Sequence, residues 1–472
     1  MMEYSIYSGG AFKMTKQKLD VINPFNNKAF AQCSLADEKD LEFAIKQALI
    51  IKDEMEDMPL YQRYEILSEI SSKLEIQKDH FTRILSLESG KPWKYAAGEI
   101  SRAVQTFRVA AEESKRLPAE LISLDWTPAG MGKEGIVRYF PVGLVAGISP
   151  FNFPMNLAVH KIAPAIAAGC PIILKPSSST PLSTLELAKI IDTTSIPKGA
   201  VSILPMDRKI GNLLVTDERF KLLTFTGSPE VGWKMKQVAG KKKIVLELGG
   251  NAGVIISNIT DMDYAVKRCV FGGFAYSGQV CIHAQRFYVE ENVFDQFTEK
   301  FIKETEKLKM GDPLDPETDI SAMIDEPNAI RVEEWVNEAV NNGASVLCGG
   351  KRKEGYYEPT ILTRTKNDMK VCSLEIFGPV VSVEPYSDFE KAVEEVNNSR
   401  YGLQASVFTD KVSEMNYAFK KLEVGGVILN DVPTFRVDHM PYGGIKDSGL
   451  GREGLKYAIA EMMEPKILVK NK

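Results

Sequence analysis

Gly143-Leu144-Val145-Ala146-Gly147-Ile148 runs directly into Ser149-Pro150-Phe151-Asn152-Phe153-Pro154. A short apolar run bounded by turn residues reads as a strand buried on both faces, the mark of a parallel sheet covered by helices. The pattern recurs at Pro171–Leu174, Val201–Leu204 and Leu222–Phe225, with Leu182–Ile191 as a crossover helix. Strand and helix therefore alternate between about residues 140 and 250, which predicts a doubly wound α/β domain.

Outward from this core, Leu41–Ile51 and Tyr61–Leu74 carry apolar residues three and four apart, as amphipathic helices do, with a break at Met58-Pro59-Leu60. A second α/β block follows Gly249-Gly250. Its predicted helices are Asp261–Phe274, Val293–Leu308 and Phe389–Asn397, and Ala344–Cys348 is a predicted strand. Leu121–Tyr139 and the tail from Met462 to Lys472 fit neither block. Both are β-compatible, and exposed β segments pair with something, here each other or a second subunit.

The 472 residues hold 58 Lys+Arg against 63 Asp+Glu, for a net charge of −5, and 44% are hydrophobic. That balance excludes a disordered tail and a protein devoted to nucleic acid. The longest apolar run, Ile162–Leu174, contains Pro164, Gly169 and Pro171 and falls short of the roughly 20 residues of a membrane span. The first five residues lack a basic region leading into an apolar one, so the expected location is cytoplasmic. Cysteines stand at 33, 170, 269, 281, 348 and 372, with no C-x-x-C pair and only four histidines, so neither a metal site nor a disulfide framework is expected.

Five short motifs carry chemistry. Asn152 follows a strand end, where open α/β sheets bind ligands, and its amide can face an oxyanion or merely make a turn. Lys175 stands beside Ser177 and Ser178 after the next strand and can hold a phosphate or a ribose, or sit in an ordinary turn. Gly227-Ser228 and Gly232 flank a strand-to-helix turn whose N–H groups suit a pyrophosphate. Glu247, before Leu248-Gly249-Gly250, ends its strand and is either solvated or functional. Cys281, after Gly278-Gln279-Val280, is a buried hydrophobe or an accessible nucleophile. The run Gly449-Leu450-Gly451-Arg452-Glu453-Gly454 matches G-x-G-x-x-G, but too little chain follows to complete a dinucleotide-binding unit. It is read as a glycine-rich turn.

Together, in this order, these segments resemble the aldehyde dehydrogenase superfamily over nearly the whole chain. The family's asparagine motif is similar to Pro150–Pro154, its cofactor lysine to Lys175, its glycine turn to Gly227–Gly232, its E-L-G-G base to Glu247 and its G-Q-x-C nucleophile to Cys281. Glu375-Ile376-Phe377-Gly378-Pro379 matches a later motif, whose Glu and Phe contact the nicotinamide ribose and ring. The resemblance implies an NAD(P)-dependent oxidoreductase in which Cys281 attacks an aldehyde and Asn152 and the Cys281 N–H hold the oxyanion. Glu247 then activates water on the thioester, so the product is a free acid rather than a CoA ester. The implied cofactor contacts are Ser149, Pro150, Phe151, Lys175, Ser177, Ser178, Arg208, Gly227, Ser228, Gly232, Leu248, Gly249, Glu375 and Phe377.

NAD-preferring members carry Glu where this chain has Ser178. With Lys175, and with Arg208 in the next strand's loop, that implies NADP ahead of NAD. His160 stands at a family pocket position often filled by a bulky aromatic, His283 follows the nucleophile by two, and the segment Val432–Pro441 resembles the lactaldehyde and glyceraldehyde branch; together they imply a polar pocket for a small hydroxylated aldehyde. The alternative is an anionic substrate, such as succinate semialdehyde or a sulfonated or phosphonated aldehyde, gripped by Arg102, on the predicted helix Glu99–Lys115, and Arg436. Val280 replaces the Arg that precedes the nucleophile in the phosphorylated-glyceraldehyde branch. The candidate substrate contacts are Arg102, Phe153, His160, Val280, Ile282, Arg436 and His439. A catalytically silent protein on this scaffold is the other class, against which Cys281, Glu247 and Asn152 together count. The implied architecture is a Rossmann-like NAD(P)-binding domain (residues 1–118 and 140–248), an α/β catalytic domain (249–455) and a small β oligomerisation arm (119–139 and 456–472). The implied partners are an aldehyde and further copies of the chain, as a homodimer or homotetramer, with no nucleic acid and no membrane.

Overall fold

A computed structural model describes residues 2–471; Met1 and Lys472, at the ends of the predicted N-terminal domain and tail, lie outside the described residues. The apolar runs form the centre of an eight-stranded sheet. Its order is Gly449–Leu450, Lys243–Glu247, Leu222–Thr226, Val145–Ile148, Ile172–Lys175, Val201–Ile203, Ile6–Ser8, Ala11–Lys13. The five middle strands are parallel and the outer ones antiparallel. Register places Phe225 beside Ile148, Ile148 beside Lys175 and Thr226 beside Glu247, so the strand ends that carry candidate residues share one edge.

Helix Pro154–Ala168 leaves that edge with Pro154 in its first turn, where the missing N–H costs nothing, and stops at Gly169 with φ 84°. Every residue of this helix is buried, His160 and Lys161 included. Arg208, predicted in a loop, is the first residue of helix Arg208–Thr216, which Asp207 caps. Arg102 lies on helix Trp93–Ser114, six residues longer at its start than predicted. The predicted helix Leu41–Ile51 is Glu38–Ile50, opened by a capping box between Asp37 and Asp40, and a short helix Lys52–Asp57 follows it.

The second block is a seven-stranded sheet in the order Ser345–Cys348, Thr360–Thr363, Val380–Tyr386, Ala284–Glu290, Ala252–Ile256, Gln404–Phe408, Gly426–Leu429. All neighbours are parallel except the first pair. The chain does not stay there. Gly449–Leu450, part of the discounted glycine run, returns to the first sheet and pairs with Leu246 and Glu247.

Ala119–Ser123, Lys133–Pro141 and Met463–Asn471 make a separate antiparallel sheet, in which the tail strand pairs along the whole of Lys133–Pro141. The two orphan segments thus pair with each other. Leu121, Trp126, Ile467, Leu468 and Val469 remain exposed there. Among the described residues no helix is long and apolar enough to cross a membrane.

Candidate active site

The edge shared by the strand ends opens into a cleft of about 660 Å³ between the two sheets. Thirteen of the candidate residues line it: Ser149, Pro150, Phe151, Asn152, Ser177, Gly227, Ser228, Glu247, Leu248, Gly249, Cys281, Glu375 and Phe377.

Cys281 arrives on a strained turn. After helix Met262–Phe274, Tyr276, Ser277 and Gly278 take φ of 51°, 52° and 67°, a left-handed run that two non-glycine residues adopt only when held there. The Tyr276 hydroxyl donates to Ser89 O (3.1 Å), the Ser277 hydroxyl to Ser321 O (2.8 Å), and Ile324 N donates to Gln279 Oε1 (2.9 Å). The Cys281 thiol lies 3.1 Å from the Tyr442 hydroxyl. Burial pushes it up to about 11, with the Tyr442 hydrogen bond and the Arg436 charge opposing. At neutral pH it is a thiol, so attack requires a base or added positive charge.

Glu247 is buried, and neither carboxylate oxygen finds a hydrogen-bond partner among the described residues. Burial first, then the Glu453 charge, raise its pKa well above the carboxylate range, while Arg436, Lys161 and Arg452 pull it down. Two unpartnered acceptors facing the same cleft as Cys281 suit a group that takes a proton from thiol or water. Asn152 is fixed on both sides. Its Nδ2 donates one N–H to Gln279 O (3.0 Å), leaving the second, and its backbone oxygen accepts from Lys91 Nζ (2.6 Å).

Helix Pro229–Val238 starts at the cleft with no side-chain cap from Ser228, so its first N–H groups stay open to an anion. Gly249 lets Glu375 close in: a Cβ there would lie 2.3 Å from Glu375 Oε2, while Gly250 N donates to Oε1 (2.9 Å). Burial pushes Glu375 up to about 8. Phe377, at φ 45°, meets Phe151 edge to face at 5.8 Å.

Gly232 does not line the cleft; a Cβ there would press to 2.4 Å on Leu248, so it serves helix-to-strand packing. Lys175, Ser178 and Arg208 also lie off this cleft. Burial, then the charge of nearby Arg208, hold the Lys175 ammonium below its ordinary range. Ser178 opens onto a neighbouring groove with Glu88, Asp325 and Glu326.

The pocket wall is less polar than the sequence implies. Val280, Ile282, Tyr276, Leu403 and Tyr442 cluster around Cys281, with Phe153 and Tyr95 against them. His283 bonds Gly273 O (2.8 Å), and burial lowers it to about 4: a neutral supporting group, not a pocket donor. His160 lies behind the wall, its Nε2–H donating to Asp438 Oδ1 (2.9 Å); burial and Arg436 keep it neutral. His439 is exposed.

Arg102 donates to Asp438 (2.7 Å) and Arg436 to Glu453 (2.9 Å), with Arg436 stacked 3.7 Å over the Tyr442 ring. The Nε of each arginine is buried without a partner among the described residues. Glu453 also meets Lys161 (3.3 Å), which donates to Thr226 (2.7 Å). The network thus joins Arg102, Arg436 and Lys161 to Asp438 and Glu453, and Glu247 feels the charges of Arg436, Lys161 and Glu453.

Sequence reasoning missed Lys91, Glu99, Lys161, Asp438, Glu453, Asn328, Arg331, Trp335 and Tyr401. Lys161 did leave a signal: a lone lysine inside an otherwise apolar helix must be paired. Glu453 lay inside the discounted glycine run.

The profile of the aldehyde dehydrogenase family matches residues 12–468. A 3-sulfolactaldehyde dehydrogenase of Priestia aryabhattai is 41% identical over 471 residues, 99% of this chain and 98% of its own. The crystal structure of aldehyde dehydrogenase 21 from Physcomitrella patens, in complex with the reaction product succinate, superposes with a TM-score of 0.99 at 46% identity, covering 100% of this chain and 98% of that one. A glyceraldehyde-3-phosphate dehydrogenase from Methanocaldococcus jannaschii, complexed with NADP, gives 0.93 at 37% identity, covering 97% and 100%. A cysteine on a strained turn, an unpartnered buried glutamate and a fixed asparagine amide thus meet in one cleft of a chain that belongs, over nearly its full length, to the aldehyde dehydrogenase family of NAD(P)-dependent oxidoreductases.

Proposed function

We propose that the enzyme oxidises a small polar aldehyde of the lactaldehyde type to its carboxylic acid, using NADP in preference to NAD. The observation that carries the acid product is Glu247, whose two carboxylate oxygens are unpartnered in the cleft that holds Cys281. Cys281 Sγ bonds to the aldehyde carbon as its proton leaves to Glu247 or to water. The free Asn152 N–H and the Cys281 N–H hold the resulting alkoxide. A bound nicotinamide would supply the hydride acceptor that leaves a thioester on Cys281. Glu247 draws a proton from water, whose oxygen displaces Sγ from the thioester and frees the acid.

The cradle fits a dinucleotide. Glu375, which Gly249 lets close in, would hold a ribose, the uncapped start of helix Pro229–Val238 would take a pyrophosphate, and Lys175 with Arg208 would supply positive charge for a 2′-phosphate. All six cysteines are free, which suits a cytoplasmic enzyme that needs its thiol reduced. The exposed apolar residues of the arm and tail favour self-association as a dimer or tetramer.

One observation favours a substrate that also ends in an anion. Arg102 and Arg436 each spend one guanidinium nitrogen on a carboxylate and keep an unpartnered, buried Nε–H among the described residues. The three relatives are named for, or hold, a sulfonate, a dicarboxylate and a phosphate. The test is reduced-cofactor absorbance with lactaldehyde, glyceraldehyde, 3-sulfolactaldehyde and succinate semialdehyde, for the native enzyme, Cys281→Ala and Arg102→Met. Cys281→Ala should turn over none of them. Arg102→Met should raise KM about tenfold or more for the acid-tailed aldehydes, since hydrogen bonds to charged groups contribute about 1.5–3 kcal/mol, and leave lactaldehyde nearly unchanged. Equal effects on all four would remove the anion subsite.

A further inference from the structure

We propose that Lys91 and Glu99 are positioning residues that aim the Asn152 amide at the reacting oxygen. The inference rests on the oxyanion role proposed for Asn152. Lys91 stands at the end of the Ser89-Gly90-Lys91 turn and Glu99 on helix Trp93–Ser114, and both are buried. Their side chains form a close ion pair. The pair grips three parts of the site at once. Lys91 Nζ donates to the Asn152 backbone oxygen at 2.6 Å. Glu99 Oε1 accepts from Met155 N (3.0 Å) and Asn156 N (3.1 Å), two of the open N–H groups at the start of helix Pro154–Ala168. The same ammonium lies over the rings of Phe153 (3.8 Å) and Tyr276 (4.4 Å), the second of which opens the nucleophile turn.

Asn152 is thereby held by its backbone from one side and by Gln279 O (3.0 Å) on its side chain from the other. With both anchors made, the remaining Nδ2–H has little freedom. Without Lys91, the 151–153 backbone keeps no partner for the Asn152 carbonyl and the amide can turn away. A misplacement of 1 Å costs about 10²-fold in rate. A buried ion pair of purely structural use is replaceable by apolar side chains with little loss of stability. A positioning pair is not replaceable in that way, because the hydrogen bond to Asn152 goes with it.

The experiment compares Lys91→Met, Glu99→Gln and Asn152→Ala, singly and with each of the first two added to the third, in the full-length enzyme. Steady-state kcat and aldehyde KM are measured with thermal melting and the rate of Cys281 alkylation by iodoacetamide. Lys91→Met should lower kcat about tenfold or more with KM within about threefold and alkylation unchanged. A smaller loss is expected for Glu99→Gln, which keeps an acceptor for Met155 and Asn156. Added to Asn152→Ala, either change should cost less than about threefold, since the group being aimed is already gone. Losses that multiply in full on top of Asn152→Ala would overturn the positioning role and leave a structural one. Full turnover by Asn152→Ala alone would overturn the oxyanion reading, and the positioning role with it. Should Lys91→Met fail to fold, Glu99→Gln carries the same comparison.

Discussion

Glu247 is held in a protonated bias by two opposed sets of neighbours, and the balance is measurable. Burial and the Glu453 charge raise its pKa; Arg436, Lys161 and Arg452 lower it. A base with a raised pKa is idle at low pH, so kcat should rise with pH along a limb lying well above pH 4.5. Lys161→Met removes a cation that favours the carboxylate and should move the limb to higher pH. Glu453→Gln removes an anion that opposes it and should move the limb lower. Profiles of kcat against pH for both variants decide this, and shifts in the same direction would refute it. Cofactor choice belongs to the same scale. Ser178 stands three residues after Lys175 in the chain, and if it belongs to the cofactor site, Ser178→Glu should lower kcat/KM for NADP about tenfold or more relative to NAD; unchanged selectivity would agree with its place in the neighbouring groove and remove it from the cofactor argument. That Cys281, Glu247 and Asn152 belong together was legible in the sequence, because each sits in a short motif at a strand end or turn, and the structure brings the three into one cleft. Lys91, Lys161 and Glu453 were not, because a lone charged residue reads as surface until the fold brings its distant partner to it. Lys161 and Glu453 lie 292 residues apart in the chain.

The turn that delivers Cys281 predicts opposite outcomes for two glycine substitutions. At Gly278, φ is +67° and an added Cβ would lie 2.1 Å from Gly378 O, which is backbone and cannot swing away. Gly278→Ala pays about 1–2 kcal/mol for the left-handed conformation alone. It should lower the melting temperature and cut kcat by displacing Cys281. Gly98 lies exposed inside helix Trp93–Ser114 with nothing within 4 Å of its Cβ position, and Gly98→Ala should stabilise the protein by about 0.5–1 kcal/mol. Melting curves of the two proteins give the comparison; a stable Gly278→Ala enzyme with native kcat would show the turn to be adaptable. Element type was legible wherever a run was long enough to show a period. The strands 143–148 and 222–225 and the helix Phe389–Asn397 stand where the apolar pattern puts them. Two-residue strands such as Gly449–Leu450 and Ile445–Lys446 have no period to read. They exist because a neighbour strand supplies their hydrogen bonds.

Across the whole molecule, the tail strand Met463–Asn471 completes the arm sheet yet leaves Ile467 and Val469 about half exposed, at 48% and 49%. If a second copy covers that surface, Ile467→Asp/Val469→Asp should dissociate the assembly to monomers at micromolar concentration. Light scattering on the eluting protein reads this directly, and an unchanged mass would place the interface elsewhere. The strand Gly449–Leu450, which returns to lie against Glu247, has a consequence for the order in which a ribosome makes the enzyme. Cys281 is made before residues 282–472, so Arg436, Tyr442 and Glu453 do not yet exist around it. A nascent or prematurely ended chain carries a cysteine with no tuned neighbours and a glutamate on an uncovered sheet edge. Burial pushes the folded thiol up to about 11, so an unfinished, still open chain carries a thiol that ionises more readily than the finished enzyme's and lies more open to oxidation and alkylation.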